Sequence, residues 1–155
     1  MILYELDAIN EQYFSPYTWR ILMSLKHKGL YSATKRVQVK FSDKSAIKHK
    51  GFNTVPVLED DKIWVGESFQ IAKYLEENYP DKPSLFGGEE NMNLTRIINE
   101  ILDPKILSIL ARIIVADVYK VIQPDDRIYF KKSREKVLKN TLEEIELESN
   151  KYIPV

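Results

Sequence analysis

Residues 54–75, TVPVLEDDKIWVGESFQIAKYL, constrain the fold more than any other stretch of the chain. Two short apolar runs, Val57 to Leu58 and Ile63 to Val65, flank the polar turn Glu59-Asp60-Asp61-Lys62, whose length suits a hairpin and predicts an antiparallel pair. From Ser68, the residues Ile71, Ala72, Tyr74 and Leu75 make an apolar stripe opposite Lys73, Glu76 and Glu77, and the helix stops before Pro80. The stretch has the look of a ligand site. Thr54-Val55-Pro56 offers backbone polar groups where a strand would pair, and Glu67-Ser68 sets an acid and a hydroxyl at the positively polarised start of a helix.

The residues before this stretch extend the sheet. Positions 2–6 are short and apolar, as in a strand buried on both faces. Ser15-Pro16 has the chemistry of a helix start, a capping hydroxyl followed by a proline whose missing N–H costs nothing there. Ile21, Leu22 and Leu25 then recur at helical spacing, and Gly29 is placed to end the helix. Residues 36–41 alternate, with Val37, Val39 and Phe41 on one face, as in a half-buried strand. Strand, helix and strand over this length make a right-handed crossover with the strands parallel. Ser42-Asp43 can cap a short helix ending near Gly51. The order βαβα then ββα predicts a mixed four-stranded sheet with helices on its faces, an α/β thioredoxin-like domain over residues 1–80.

Beyond it, residues 81–88 hold two glycines and, counting back to Pro80, two prolines, and read as a linker. From there the period becomes 3.6 and no strand pattern recurs. Residues 91–102 form one helical pattern, Asp103-Pro104 predicts a fresh start, and Pro124-Asp125-Asp126 a break. A last helix is predicted over 127–150, its Lys and Glu runs a solvated face with i,i+4 pairing. Two or three amphipathic helices do not close a bundle core. Residues 89–155 therefore read as an incomplete all-α C-terminal domain, with an apolar tail at Tyr152-Ile153-Pro154-Val155.

Composition narrows the chemistry. The 155 residues suffice for one domain and part of another. Lys plus Arg and Asp plus Glu both number 23, so no net field favours nucleic acid or an anionic membrane surface. There is no cysteine, which removes disulfides, thiolate metal sites and a cysteine nucleophile. His27 and His49 lie far apart with no carboxylate-flanked spacing, which argues against a metal site. The first residues lack the apolar core of a signal peptide, and no apolar run approaches the ~20 residues of a membrane span. A soluble cytoplasmic protein is the expectation.

Ser15-Pro16-Tyr17-Thr18 stands where thioredoxin-like redox proteins carry Cys-Pro-Tyr-Cys, with both cysteines replaced by hydroxyl residues. Together with TVPVL and GESFQIAKYL it resembles the N-terminal domain of cytosolic glutathione transferases. FSPYTWRILMSLKHKGL, FSDKSAI and RIYFKKSREKVLKNTLEEI extend the resemblance, toward the serine-type β-etherase-like transferases of bacteria and fungi.

The resemblance implies a detoxification-type reaction in which the glutathione thiolate attacks a hydrophobic electrophile, with glutathione the co-substrate and no metal. Ser15 matches the family's active-site serine. A hydroxyl at a helix N-terminus can donate to a thiolate while the helix dipole favours the charge; a simple cap is the alternative role. Pro56 matches a cis-proline that turns the Val55 backbone toward the cysteinyl backbone of glutathione; a trans proline opening an edge strand is the alternative. Glu67 and Ser68 match the pair that holds the γ-glutamyl end, although Ser68 also suits a plain N-cap. Lys44 falls where a cation for the glycyl carboxylate is often found, and Thr54 replaces a longer polar residue before the Val-Pro step. The electrophile would lie between Phe14, Tyr17 and the second-domain helices, and Arg20 would pair with an acid beneath the site. Family members are homodimers. A non-catalytic ligand-binding protein of the same fold, or a fragment without activity, is the competing reading.

Overall fold

The computed structural model describes residues 1–149. The predicted Asn150 end of the last helix and the apolar tail at 152–155 lie outside the described residues. By contacts the chain divides into two units, one of Met1–Asp7 with Tyr13–Arg96, the other of Ala8–Gln12 with the chain from Ile97 onward.

The first unit holds a four-stranded sheet of order β2-β1-β3-β4, with β1 at Ile2–Leu6, β2 at Lys35–Val39, β3 at Val57–Asp60 and β4 at Ile63–Gly66. β1 runs parallel to β2 and antiparallel to β3, which pairs antiparallel with β4. Its helices are α1 (Pro16–His27), α2 (Ser45–Lys48) and α3 (Ser68–Asn78). This is the predicted mixed thioredoxin-like sheet. The second strand is shifted from 36–41 to Lys35–Val39, leaving Phe41 beyond its end, although Val37 and Val39 do share a face.

Local chemistry accounts for the turns. The hairpin closes on Asp61 and Lys62, both at positive φ (45° and 71°), the two-residue turn whose twist matches that of its strands. α1 ends as predicted at Gly29, whose φ of +69° suits a residue without Cβ. The Gly29 and Leu30 amides return to the Lys26 and Leu25 carbonyls at 3.1 and 2.8 Å. α2 follows a turn in which Asp43 Oδ1 accepts the Ser45 N–H at 2.8 Å, a bond that draws the Asp43 carboxyl below its ordinary pKa.

One face of the sheet packs on α1 and α3, burying Leu3 and Leu58 with Ile21, Leu22, Leu25, Ile71 and Leu75. The other face carries Tyr4 stacked on Trp64, ring centroids 5.1 Å apart, with His49 edge-on to Trp64 beside α2. β1 is therefore buried on the α1 and α3 side, while Ile2, Tyr4 and Leu6 are only half-covered. Tyr4 donates to Glu59 Oε2 at 2.8 Å, and burial with that carboxylate pushes its phenol up to about 12.

Lys28, 1% exposed, joins the far ends of the two helices. Its Nζ sits 2.9 Å from Glu76 Oε2 and donates to the Tyr79 carbonyl at 3.2 Å, so a buried cation closes the C-terminus of α3. Glu76 also accepts the Leu85 N–H at 2.9 Å and the Ser84 hydroxyl, and His27 Nε2 meets the Ser84 carbonyl at 3.0 Å. Residues 81–88, predicted as a linker, are thus strapped onto α1 and α3, with Leu85 against the core and Phe86 on Phe69.

The second unit is helical. α4 spans Glu89–Val121 with Pro104 inside it, which corrects the predicted helix start at Asp103-Pro104. One proline removes a single hydrogen bond, at about 3 kcal/mol, and the helical pattern continues on both sides with no glycine to stop it. The predicted helix over 127–150 is two, α5 (Arg127–Leu138) and α6 (Leu142–Ser149). Lys139 takes a left-handed conformation at φ 58° and ends α5. Thr141 and Glu144 then form a reciprocal capping box, Thr141 N–H to Glu144 at 2.9 Å and Glu144 N–H to Thr141 Oγ1 at 3.2 Å. The expected i,i+4 pairing appears in Lys131–Glu135 at 3.8 Å, and Lys131 also reaches Glu143 at 2.5 Å. Val115, Ile122, Phe130, Leu142 and Ile145 are buried, whereas Ile98, Ile101, Ile106 and Ile109 of α4 are exposed. Among the described residues no helix is long and apolar enough to cross a membrane.

The Lys28–Glu76 node has a pH signature. Desolvation raises the Glu76 carboxyl, but bonds from Ser84, the Leu85 amide and Lys28 outweigh it and hold its pKa at about 2, against an ordinary 4.5. A depressed folded-state pKa contributes stability that is complete above the unfolded value and lost as pH falls through the folded one. Thermal unfolding should therefore show a loss on the order of 2 kcal/mol between about pH 5 and pH 2 that a Glu76→Gln variant, less stable at pH 7, does not show.

Candidate functional site

The strand register brings the predicted site residues to one end of the sheet. Leu6 of β1 pairs with Val39 of β2, Tyr4 with Val57 of β3, and Val57 with Gly66 of β4. The C-terminal ends of β1, β2 and β4 and the start of β3 therefore share an edge. The chain leaves that edge through Phe14, Ser15 and Tyr17 into α1, through Lys44 into α2, and through Glu67 and Ser68 into α3; it arrives there through Thr54, Val55 and Pro56. Because α1 and α3 pack on the same face, their N-termini sit together at this end.

Ser15 caps α1. Its Oγ accepts the Thr18 N–H at 3.3 Å, its carbonyl accepts the Trp19 N–H at 3.1 Å, and the residue is 8% exposed. The hydroxyl is used here as an acceptor, and among the described residues none accepts its own hydrogen. It therefore keeps one donor for a ligand at the positive end of a helix whose first turn has no acid. Capping and availability as a donor hold at once.

The Val55–Pro56 peptide is cis, and Pro56 is buried. Val55 precedes the first paired residue of β3, and neither its amide nor its carbonyl has a backbone partner among the described residues. At α3 the structure departs from the plain-cap reading of Ser68. Glu67 occupies the cap position with φ 66° and ψ 125°, its side chain makes no capping bond, and Ser68, 7% exposed, is the first helical residue. The opening amides of α3 thus lack a side-chain acceptor from the cap, and no acid lies in its first turn. Just before it, Gly66 accommodates the Phe52 ring. A Cβ there would lie 2.6 Å from that ring, so the close approach requires glycine.

The remaining predicted residues are less committed. Lys44 Nζ donates to the Lys40 carbonyl at 2.6 Å and lies over the Phe41 ring. Thr54 is exposed, Phe14 half-buried, and Tyr17 exposed with the Arg20 guanidinium 5.4 Å from its ring centre. His27 and His49 are far apart in role: one holds Ser84, the other meets the Ser45 carbonyl and Trp64.

Sequence reasoning missed the groups that brace Ser15. The Trp19 indole N–H donates to the Tyr13 carbonyl at 3.1 Å, and the two rings meet edge to face. The Arg36 guanidinium lies 4.4 Å from the Tyr13 ring centre and bonds to Glu5, 1% exposed, at 2.8 Å. The alternation of β1 and β2 puts Glu5 and Arg36 on one face, the only signal available in the sequence.

Comparison with known proteins accords with this arrangement. The N-terminal domain model of glutathione S-transferases matches residues 14–78, and the C-terminal domain model matches residues 93–152. A glutathione transferase from Phanerochaete chrysosporium is 31% identical, with a TM-score of 0.83 over 92% of this chain and 63% of its own. A second from that fungus is 28% identical, with a TM-score of 0.78 over 92% of this chain and 63% of its own. A glutathione S-transferase of Ceriporiopsis subvermispora, crystallised in complex with glutathione, is 25% identical with a TM-score of 0.84, covering 93% of this chain and 62% of its own. The chain thus spans 62–63% of the length of these relatives. With both domain models matched in order along a thioredoxin-like sheet and a helical second unit, the chain belongs to the glutathione S-transferase superfamily.

Proposed function

We propose that this chain binds glutathione at the sheet end described above and uses the Ser15 hydroxyl to hold its thiolate for attack on a hydrophobic electrophile. The observation that carries the reading is the state of Ser15: a buried helix cap whose oxygen is already fixed by the Thr18 amide and whose hydrogen is uncommitted. The complex of the Ceriporiopsis relative with glutathione supports the choice of ligand.

In this reading Val55 pairs through its amide and carbonyl with the cysteinyl backbone, as an added strand would. Ser68 and the uncapped amides of α3 take the γ-glutamyl carboxylate, and Glu67 takes its ammonium. Lys44 exchanges the Lys40 carbonyl for the glycyl carboxylate, with Thr54 and Pro56 shaping the wall between. The thiol proton passes to solvent, and Ser15 and the α1 dipole stabilise the remaining anion without a base. The sulfur lone pair then forms the carbon–sulfur bond while the leaving group departs with its electrons, as in conjugation or β-ether cleavage. Phe14 and Tyr17 supply apolar contact for the electrophile. Residues 1–80 act as the glutathione-binding domain, 81–88 as the linker and 89–155 as part of the helical domain. Pairing as a homodimer, cytoplasmic residence and a detoxifying role belong to the same proposal.

A non-catalytic binding protein is the second reading. The exposed isoleucines of α4 favour it, because an electrophile pocket needs covered apolar walls. Ser15→Ala separates the two. As an enzyme, the variant should stay bound to immobilised glutathione while kcat/KM falls by about 10²-fold, the usual loss for one such donor; undiminished turnover would remove Ser15 from catalysis. Retention on glutathione without turnover of any electrophile by the unaltered chain selects the binding protein.

Glu67→Gln keeps the shape and removes the charge facing the ammonium. Calorimetry should show glutathione binding weakened roughly tenfold, in line with loss of one charge-assisted bond. Unchanged affinity would move the γ-glutamyl end elsewhere.

A further inference from the structure

Thr18, in the first turn of α1, is 1% exposed, and its Oγ1 is closed off from solvent with no hydrogen-bond partner among the described residues. Helical hydroxyls usually discharge onto a carbonyl three or four residues back. Ser24 does so on Arg20 at 2.8 Å, Thr95 on Asn91 at 2.8 Å and Ser133 on Phe130 at 2.9 Å. Thr18 does not use that outlet: its hydroxyl bonds neither to the Ser15 carbonyl, which accepts the Trp19 N–H, nor to the Phe14 carbonyl ahead of the helix. An orphaned buried hydroxyl is destabilising, because its lost water is not replaced by a partner, so its presence calls for a reason.

Its position supplies one. Side chains on a helix lean toward the N-terminus, onto the residues three and four positions back. The third helical position is also the one from which a capping-box side chain reaches back to the cap. For Thr18 that cap is Ser15, whose Oγ already accepts the Thr18 N–H at 3.3 Å.

We infer that Thr18 is a positioning residue for Ser15: when Ser15 donates to a bound thiolate, the Thr18 hydroxyl becomes a second donor to Ser15 Oγ. The inference rests on the glutathione site proposed above. Threonine has two accessible rotamers in a helix, and a turn about Cα–Cβ carries the hydroxyl to the cap. An oxygen that accepts two bonds makes its own O–H a stronger donor, because successive hydrogen bonds polarise one another, by roughly 10–30% per bond. No proton changes owner; the sulfur keeps its charge and the orphan hydroxyl gains its partner.

The test uses the whole chain, unaltered and as Thr18→Val, Thr18→Ser and Ser15→Ala, with reduced glutathione as the probe. The ultraviolet thiolate band is titrated against pH and thermal unfolding is followed without ligand. Thr18→Val, which keeps the shape and loses the hydroxyl, should raise the pKa of the bound thiol by about half a unit. Thr18→Ser should restore it. The same Thr18→Val protein should melt higher than the unaltered one, since a methyl replaces an unpaired polar atom. A purely structural threonine would move the melting temperature and leave the thiol titration alone. If Thr18→Val titrates like the unaltered chain while Ser15→Ala does not, the inference fails and the glutathione site stands. If no variant, nor the unaltered chain, develops a thiolate band, both fail. A Thr18→Val chain that does not fold also overturns the inference, because only a hydroxyl bonded within the fold is needed for folding.

Discussion

A lysine ammonium cut off from water must find an anion and carbonyls, or it gives up its charge or its place. Lys28 finds Glu76 and the Tyr79 carbonyl, and that node sets the frame of the first unit. It joins the last residues of α1 to the last turn of α3, while Ser84 and Leu85 tie in the following segment. The two helices have 12 and 11 residues, run the same way from the sheet and differ by only about 1.5 Å in length. Fixing their C-termini together therefore levels their N-termini. Ser15 and Ser68 meet at one end of the sheet because a buried ion pair holds the other ends in step.

The electrostatics of that end follow. Neither helix carries an acid in its first turn, so two positive helix ends face the same space, with Glu67 at the cap of α3 the acid that stands beside them. They are finished differently. α1 has its cap, which spends one lone pair of Ser15 and keeps a donor, whereas α3 opens at Glu67 with its backbone in the left-handed region and no side-chain cap. A capped end with one hydroxyl donor suits a single soft anion. An uncapped end with several amides suits a carboxylate, which accepts more than one bond. In the proposed site the two ends would hold different parts of one small peptide.

Much of this was legible in the sequence because it is local. The positive-φ pair Asp61-Lys62, the glycine stop after α1 and the Ser15-Pro16 start are written in adjacent residues, and the hairpin and crossover follow from period and order. Pro104 was misleading for the same reason: a local break signal was overridden by the helical pattern on either side. Thr141 to Glu144 carries a capping-box spacing that does mark the break between α5 and α6; it was hidden within a long run of helix-favouring charges. What could not be read were partners chosen by the fold. Lys28 looks like any surface lysine until α3 is laid beside it, and nothing near Thr18 in the sequence shows that its hydroxyl is enclosed without an acceptor.

The same distinction explains the bracing of Ser15. A neutral hydroxyl offers a thiolate one short-range hydrogen bond, and such a bond falls away steeply with angle and distance. Its effect therefore depends on how firmly the cap is held. Here the loop before α1 is fixed twice, by the Trp19 indole on the Tyr13 carbonyl and by the Arg36 guanidinium on the Tyr13 ring. Arg36 is in turn held to buried Glu5 on the central strand. Burying that carboxylate is costly unless it is paired, so the pair cannot be loosened cheaply. A weak, geometry-dependent donor is thus anchored through two aromatic contacts to an ion pair in the sheet, and the rigidity of the sheet is passed to the one hydrogen on which the proposed chemistry depends.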